Sequence, residues 1–371
     1  MDLEEKKYWV LFNVFEGIGP LRFKLLLDFF GTAKDAYNTS EKSLREIGLG
    51  EKLVTKFINF RNLQFDINSY FLRLDKLGIT ILCSEEENYP KLLKEIEGKP
   101  PILYVKIRNS KFEIQNVFRR KAVAVVGTRK VTGYGRQVTE MITEGLVSAG
   151  LVVVSGLARG VDEIAHETTI NNSGQTIAVL GNGLDLIYPP EHKDLAEKIV
   201  ETGGALISEF PLGMAAVPGN FPARNRIISG LSLGVVVTEA AEDSGSLITA
   251  SDAAEQGREV FAVPGPITSP LSKGTSELIK KGAKLVSGVE DILEELGIRN
   301  QGKPSFAKAT EGQNFSEEEK KILEILENEN LQIDEIGRRM GKTSGEVGGI
   351  LSVLEIKGIV RNLGEGIYGL K

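Results

Sequence analysis

The sequence predicts an α/β protein with a doubly wound parallel sheet, and two observations support this fold class. From about residue 120 to residue 297, strand-sized apolar runs alternate with helical stretches, as in parallel strands joined by crossover helices. The runs are continuously hydrophobic, which is typical of strands covered on both faces. The predicted strands are Ala122–Val126, Leu151–Val154, Thr176–Leu180, Ala205–Ser208, Gly234–Thr238 and Glu259–Val263.

The length of 371 residues suggests two or three domains, and changes of pattern divide the chain into four segments. We expect a helical N-terminal domain at residues 1–110 and a Rossmann-like sheet domain at residues 115–297. A flexible linker is expected at residues 298–315, because the sequence there is polar, contains Gly and Pro, and loses its periodicity. A winged-helix domain is expected at residues 316–371.

In the N-terminal segment, apolar residues at helical spacing flank Gly17-Ile18-Gly19-Pro20, and a looser version of this pattern surrounds Ile47-Gly48-Leu49-Gly50. Helix–GxG–helix is the helix-hairpin-helix or SAM-like pattern, in which N–H groups at a helix N-terminus can hold a phosphate. The same pattern also occurs as a plain tight turn. We favour structural packing over DNA contact for this region.

The C-terminal segment begins with a capping box, in which Ser316 is the N-cap and Glu319 the partner three residues on. Helical stretches follow at Gln332–Arg339 and Ser344–Lys357, and a hairpin turns at Gly364-Glu365-Gly366. Three helices and a hairpin predict a winged helix. Its recognition helix carries few basic residues, so protein docking is as plausible a role as DNA binding.

The composition is that of an ordinary globular protein, with 41% hydrophobic and 26% charged residues. No apolar run approaches the roughly 20 residues that a membrane span needs. The N-terminus lacks the apolar core of a secretory signal. Cys83 is the single cysteine, which excludes an internal disulfide and a thiol metal cluster. We therefore expect a cytoplasmic protein with no membrane partner.

The net charge of −6 argues at first against nucleic acid, but phosphate binding needs only a local basic patch. Residues 119–136 contain six basic side chains and no acidic one. This run is either a phosphate-binding patch or a solvated charged surface. Its members are Arg119, Arg120, Lys121, Arg129, Lys130 and Arg136.

The loops after the predicted strands contain many phosphate-binding residue types. In an open parallel sheet, ligands bind outside the carboxyl ends of the strands. Gly lets the backbone approach an anion, N–H groups at a helix N-terminus point at it, and Arg can grip a phosphate with two bonds. Several such loops at one edge predict an extended polyanion groove, although aromatic residues are sparse in them. The candidates are Gly127, Thr128, Arg129, Ser155, Gly156, Arg159, Gly160, Arg224, Asn225, Arg226, Ser244, Gly245, Ser246 and Thr249.

Arg226 and the pair Asp162 and His166 each have a structural alternative to a role in binding. The segment Phe221–Arg226 is expected to end the long loop after Ala205–Ser208, and Arg226 could instead form a buried ion pair that holds this loop. Asp162 and His166 stand four residues apart on a predicted helix, a spacing that could hold a metal. No third ligand is apparent nearby, so a structural role is favoured.

The sequence lacks the common cofactor and catalytic motifs. No G-x-G-x-x-G follows the first predicted strand, and no P-loop occurs. No serine–histidine–carboxylate set follows from the spacing. We therefore expect no cofactor, no metal and no catalytic residue.

Six stretches of the middle segment, taken in order, resemble the DNA-processing protein A family, also called Smf. They are AVVGTRKVTGYG (124–135), SGLARGVDEIAH (155–166), TIAVLGNGLDLIYPPEH (176–192), SEFPLGMAAVPGNFPARNRIISGLS (208–232), VVVTEAAEDSGSLITASDAAEQGREVFAVPG (235–265) and KGTSELIKKGAKLV (273–286).

The resemblance implies a protein that protects incoming single-stranded DNA during natural transformation and loads a RecA-type recombinase on it. It also implies a homodimer formed through the Rossmann-like domain, with no established catalytic activity. Arg129, the SGLARG loop, Arg224-Asn225-Arg226 and the turn Ser244-Gly245-Ser246 are the implied DNA contacts.

Two other functions compete with this one. Rossmann-like phosphoribohydrolases cleave nucleoside monophosphates with a PGGxGTxxE motif, whereas the equivalent region here reads EDSGSLITASDAAE. Glu239, which ends a predicted strand, would be the residue on which such an enzyme is tested. The third possibility is a scaffolding protein in which the winged helix is the working part.

Overall fold

The structure is a computed structural model that describes residues 1–108, 114–298, 315–326, 330–364 and 366–370. The chain forms two compact units, Met1–Asn300 and Gln301–Lys371, which are described separately below. The predicted linker at 298–315 lies outside the described residues except at its two ends.

The first unit begins with six helices. Asp2 caps the first helix by accepting a hydrogen bond from the Glu5 N–H at 2.7 Å, and Pro20 occupies the first position of the second. Phe12 and Phe57 stack with ring centroids 5.2 Å apart in the core of this bundle. The helices are α1 (Leu3–Val14), α2 (Pro20–Phe30), α3 (Ala33–Asn38), α4 (Glu41–Glu46), α5 (Glu51–Asn62) and α6 (Ile67–Lys76).

The rest of the first unit is built on a nine-stranded sheet of order β1-β2-β6-β5-β4-β3-β7-β8-β9. The seven strands from β6 to β9 in this order are parallel, and β1 and β2 are antiparallel additions at one edge. The strands are β1 (Ile79–Cys83), β2 (Ile102–Lys106), β3 (Ala122–Val126), β4 (Val152–Ser155), β5 (Thr176–Val179), β6 (Ala205–Ser208), β7 (Gly234–Val237), β8 (Glu259–Ala262) and β9 (Lys284–Leu285).

Helices cover both faces of the parallel strands. Alternate residues of β3 point to opposite sides: Val123 and Val125 pack in one cluster with Ile142, whereas Ala124 packs in another with Ile227. This confirms the predicted doubly wound α/β architecture. The connecting helices are α7 (Lys91–Glu95), α8 (Ile114–Arg119), α9 (Gly133–Ser148), α10 (Val161–Asn171), α11 (Lys193–Glu201), α12 (Asn220–Gly230), α13 (Ser246–Glu255), α14 (Lys273–Lys280) and α15 (Val289–Glu295).

The helical N-terminal segment ends earlier than the predicted boundary at residue 110. It ends near Lys76, and residues 79–106 contribute β1 and β2 to the sheet. These two strands are mostly buried apolar runs, as the central strands are, so they follow the same pattern at a smaller distance from the helices. Contacts join the helices and the sheet into one compact unit.

The second unit has the fold of a winged helix. Ser316 and Glu319 form the predicted capping box, with the Ser316 N–H donating to Glu319 at 2.7 Å and the Glu319 N–H donating to Ser316 Oγ at 3.1 Å. The elements are α16 (Glu317–Leu326), β10 (Leu331–Gln332), α17 (Ile333–Met340), α18 (Ser344–Ile356), β11 (Val360–Gly364) and β12 (Ile367–Leu370), and the three strands form one sheet. Residue 365 of the predicted turn is outside the described ranges.

In the ranges that the structure describes, no helix is long and apolar enough to cross a bilayer.

Candidate nucleic-acid cleft

A cleft of about 730 Å³ opens where the strand order reverses, between β3 and β7. This is the position at which open α/β sheets bind ligands. The loops after β3, β4 and β7 and the first turns of α12 and α13 line it. Nine of the predicted site residues line the cleft: Gly127, Thr128, Arg129, Arg224, Asn225, Ser244, Gly245, Ser246 and Thr249.

Arg129 is an exposed cation of the cleft. Its guanidinium lies 5.6 Å from the centroid of the Phe221 ring, and Phe221 lies 5.7 Å from the ring of Tyr188. Tyr188 is 43% exposed. Lys130, the next residue, is also exposed and lines the cleft. A cation beside two accessible rings can hold both a phosphate and a base.

The sequence pattern does not predict this aromatic pair as part of the site, because aromatic residues are sparse in the loops that directly follow the strands. Tyr188 lies in the segment after β5, just before the turn that leads into α11, and Phe221 lies in the first turn of α12. Neither directly follows a strand, so a search restricted to strand ends does not find them.

The glycine at position 160 lets two loops pack closely. Gly160 has φ 79° and ψ −121°, and a Cβ there would collide with the Thr128 carbonyl oxygen. The Val161 N–H donates to the same oxygen at 3.2 Å, and the Thr128 N–H donates to the Glu239 carbonyl at 2.7 Å. Gly160 therefore does not line the cleft itself but allows close packing against Thr128, which does.

Ser155 and Gly156 are committed to internal hydrogen bonds. Ser155 Oγ donates to the Val125 carbonyl at 2.7 Å, and the Gly156 N–H donates to Asp162 Oδ2 at 3.0 Å. Asp162 also accepts from the Ala158 N–H at 3.3 Å. Burial raises the pKa of Asp162, while the charge of Arg224 lowers it. This buried carboxylate orders the SGLARG loop.

Arg224 is buried and bonded to carbonyl groups of the framework. It donates to the Gly156 carbonyl at 2.6 Å, to the Val179 carbonyl, and through Nε to Asn225 Oδ1 at 3.2 Å. Burial lowers the pKa of Arg224 to about 10, so the guanidinium is still charged at neutral pH. Its charge lies in the wall of the cleft.

Arg226 forms the ion pair that was the alternative for it. Its two terminal nitrogens donate to the two carboxylate oxygens of Glu209 at 2.8 and 2.6 Å. The segment Phe221–Arg226 lies within α12 rather than at the end of a loop, which differs from the expectation. Arg226 does not line the cleft.

Arg159 is exposed and paired with Glu191, with Nη2 and Oε1 2.5 Å apart. It lines a small hollow beside the main cleft together with Arg129 and Tyr188. Glu191 is not among the residues that the sequence pattern predicts for the site.

The turn 244–246 begins α13 at the cleft. Ser244 Oγ and Ser246 Oγ are 2.8 Å apart, and Asn225 Nδ2 donates to the Gly245 carbonyl at 3.2 Å. Thr249 is buried one turn further along the helix. The N-terminus of α13 thus faces the cleft, where helix N–H groups favour an anion.

The run of six basic residues does not form one patch. Arg120 bonds to the Gln175 side chain at 2.7 Å and to the Gly150 carbonyl at 2.9 Å, both of which precede parallel strands. Arg129 and Lys130 follow β3 at the other end of the strands. The two groups therefore lie at opposite ends of the parallel strands, and the length of a strand separates them.

Glu239 does not face the cleft. Its two carboxylate oxygens accept hydrogen bonds from the Thr132 N–H at 2.9 Å and the Thr132 hydroxyl at 2.6 Å, at the start of α9. A carboxylate so placed does not approach a ribose bound between β3 and β7.

Asp162 and His166 do not share a site. His166 Nδ1 lies 2.7 Å from Thr176 Oγ1, and that hydroxyl donates to the Val153 carbonyl, so Nδ1 carries the proton. Burial lowers the pKa of His166 to about 3. Within the described ranges, no group of three or more His, Cys, Asp or Glu side chains is placed to hold a metal ion.

Comparison with known proteins identifies the family. A family model described as DNA recombination-mediator protein A matches residues 80–297, and a DprA winged helix domain model matches residues 306–366. Protein Smf of Synechocystis sp. is 35% identical, with 96% of each chain covered. Protein Smf of Escherichia coli is 39% identical over 88% of this chain and 87% of its own length.

Two solved structures agree with this assignment. DNA processing protein A from Streptococcus pneumoniae has a TM-score of 0.67 at 34% identity, covering 80% of this chain and 99% of its own. DNA processing protein A from Helicobacter pylori, described in a single-stranded DNA binding mode, has a TM-score of 0.52 at 31% identity, covering 59% of this chain and 96% of its own. The chain therefore belongs to the DNA recombination-mediator protein A family, also known as DprA or Smf.

Proposed function

We propose that this protein binds single-stranded DNA in the cleft between β3 and β7, and that it protects incoming DNA during natural transformation. The observation that carries the proposal is the exposed Arg129 beside Phe221 at this cleft. The N-terminus of α13 adds N–H groups for a phosphate. The relative from Helicobacter pylori supports the proposal, since its structure concerns single-stranded DNA binding.

A single strand suits this cleft better than a duplex does. The rings of Tyr188 and Phe221 can stack only on bases that are unpaired and free to turn outward. Such stacking contributes about 1–3 kcal/mol per base. Phosphate contacts supply the remainder, so the affinity falls steeply as salt rises.

We propose further that the protein loads a RecA-type recombinase and works as a homodimer. Family membership supports both. An apolar groove lined by Tyr134, Met141, Val263, Pro264 and Val286 supports the dimer, since Tyr134 and Met141 are 39% and 47% exposed. Recombinase filament growth on DNA coated with this protein tests the loading role. Sedimentation of Met141→Asp beside the wild type tests the homodimer.

We infer that the cleft binds without turnover. Glu239 is held at the start of α9, and Asp162 is engaged by its own loop. Release of free base from AMP above a buffer blank, lost in Glu239→Gln, would establish a phosphoribohydrolase instead.

The test of DNA binding is fluorescence anisotropy with oligo-dT and with a duplex of equal length. Arg129→Ala is expected to weaken oligo-dT binding and to reduce the salt slope by about 0.7, the value for one phosphate contact on a single strand. Arg120→Ala, at the opposite edge of the sheet, is the control and is expected to bind as the wild type does. Equal or tighter binding to the duplex contradicts the proposal.

A further inference from the structure

The connection between β6 and α12, residues 209–219, leads directly into the cleft. The chain passes from its last residues to Phe221, Arg224 and Asn225, all of which line the cleft. A connection of this length is costly to hold in one conformation, at about 1–2 kcal/mol per residue. Contacts that hold the connection in its conformation offset this cost.

A chain of hydrogen bonds from side chains of α1, α6 and β2 holds the start of this connection. The Leu212 N–H donates to the Tyr70 hydroxyl at 2.9 Å, and this hydroxyl donates to that of Tyr104 at 3.2 Å. The Tyr104 hydroxyl donates to Asn13 Oδ1 at 2.8 Å, and Asn13 Nδ2 donates to the Glu209 carbonyl at 3.0 Å. The chain of bonds begins and ends on the backbone of residues 209–212.

The two tyrosines of this relay of Tyr70, Tyr104 and Asn13 are sheltered from water, and Asn13 is half-buried. Tyr70 is 8% exposed and Tyr104 is fully buried. Because buried hydroxyl and amide groups lose free energy when a partner is removed, the relay resists distortion more than a surface hydrogen bond does. It joins α1, α6 and β2: Asn13 and Tyr70 belong to the N-terminal helices, and Tyr104 belongs to the sheet.

Three further contacts hold the connection and α12. Glu209, whose carbonyl the relay holds, pairs through both carboxylate oxygens with Arg226 on α12. The Gly213 N–H donates to Asp185 at 2.9 Å, and Asp185 pairs with Arg73 of α6 at 2.5 Å. Helix α12 and the beginning of its connection are thus fixed together.

We propose that Asn13 and Tyr70 are positioning residues for the DNA cleft, acting through residues 209–212 on Phe221 and Arg224. This inference rests on the proposed single-stranded DNA binding. The relay touches no nucleotide. It raises the affinity by ordering the connection in advance, which lowers the entropy lost on binding.

The first test compares tyrosine variants by anisotropy with oligo-dT at several salt concentrations. Tyr70→Phe is expected to weaken binding three- to tenfold with an unchanged salt slope, because no phosphate contact is lost. Tyr89→Phe is the matched control: Tyr89 is equally buried and its hydroxyl donates to the Pro100 carbonyl at 2.8 Å, outside the relay. It is expected to bind within twofold of the wild type.

Asn13→Ala breaks the relay at its other end and is expected to match Tyr70→Phe. Wild-type affinity in both variants overturns the positioning role, as does equal weakening in Tyr89→Phe. Arg129→Ala in the same series separates the two proposals. If Arg129→Ala weakens binding and the relay variants do not, only the relay inference fails; if Arg129→Ala also binds normally, the proposed cleft fails.

Hydrogen exchange of the unmodified full chain tests the same coupling without a variant. Because coupling between sites is reciprocal, oligo-dT is expected to slow amide exchange in residues 209–213 and also in α1 and α6. Slowing confined to the cleft loops overturns the inference.

Discussion

Three arginines proposed from the sequence as phosphate contacts have different surroundings in the fold. Arg129 is exposed beside an aromatic ring, Arg224 is buried against carbonyl groups, and Arg226 is paired with Glu209. An arginine in the predicted loops is compatible with all three surroundings, since a guanidinium can bind phosphate, carbonyl and carboxylate groups. Only the long-range packing decides among them: Arg224 meets Gly156, 68 residues away.

At the same scale, Glu191 is expected to compete with DNA for Arg159. The pair is about half exposed, with 57% and 48% of the two side chains accessible, so a phosphate can displace the carboxylate. Such pairs contribute about 0.2–1 kcal/mol, and Glu191→Gln should therefore tighten oligo-dT binding by a factor of roughly 1.4 to 5 at low salt.

Glu41→Gln is the control for Glu191→Gln, because it neutralises one carboxylate of an equally exposed Arg–Glu pair in the N-terminal helices. It removes the same charge from the whole protein and is expected to change the affinity by less than Glu191→Gln does. A Glu191→Gln affinity at or below that of the control would show that Arg159 does not meet the strand.

His166 is expected to make the fold sensitive to acid. Its pKa is about 3 when folded and 6.5 ordinarily, so below pH 6.5 the unfolded chain binds a proton that the folded one does not. The free energy of unfolding then falls as pH falls, by about 2 kcal/mol at pH 5 from this group alone. Denaturant unfolding at pH 7.5 and 5 should show that loss in the wild type and its absence in His166→Gln. An equal loss in both would contradict it.

At the scale of elements, most strands and helices follow from local pattern. The six predicted strands lie within one residue of β3 to β8, because each is an apolar run flanked by turn residues. β9 is only two residues long and both are exposed, so it has no such pattern. Nine of the fourteen predicted loop residues line one cleft, and their role in binding DNA stays a prediction. The positions of Tyr188 and Phe221 in it depend on how distant loops meet, which periodicity does not encode.

The junction between the β3 loop and α10 offers a test of loop packing. Gly160→Ala places a Cβ against the Thr128 carbonyl, whereas Gly150, with a similar φ of 78°, has open space at that position. Both variants incur backbone strain, and Gly160→Ala should lose about 1–3 kcal/mol more through overpacking. It should also weaken oligo-dT binding, since Thr128 and Arg129 move with the loop. Equal melting temperatures and affinities of the two variants would contradict this packing.

At the scale of the whole molecule, the winged-helix unit is chemically unlike the cleft. Lys342 and Lys357, at the two ends of the recognition helix α18, are paired with Glu318 and Glu319 at 2.7 and 2.5 Å. Val353 and Ile356 on the same helix are 45% and 87% exposed. A major-groove helix normally presents basic or amide side chains, so this surface suits protein contact better.

Deletion of residues 299–371 is therefore expected to leave oligo-dT affinity within about threefold, since few phosphate contacts are lost. The remaining chain corresponds to the first compact unit. Anisotropy with the same oligonucleotide measures the change. A loss of tenfold or more would show that the winged helix is itself a DNA-binding module.

The antiparallel pairing of β2 with β6 determines where the chain can be cut. Tyr104 to Lys106 lie opposite Leu206 to Ser208, so a protein that starts at residue 110 leaves β6 as a bare edge. All four residues of β6 are buried in the intact unit. Unpaired N–H and C=O groups on an apolar edge strand invite pairing with other chains. A fragment that starts at residue 110 is thus expected to self-associate for reasons unrelated to its biology. A fragment that starts at the turn before β1 retains β2, which pairs with β6.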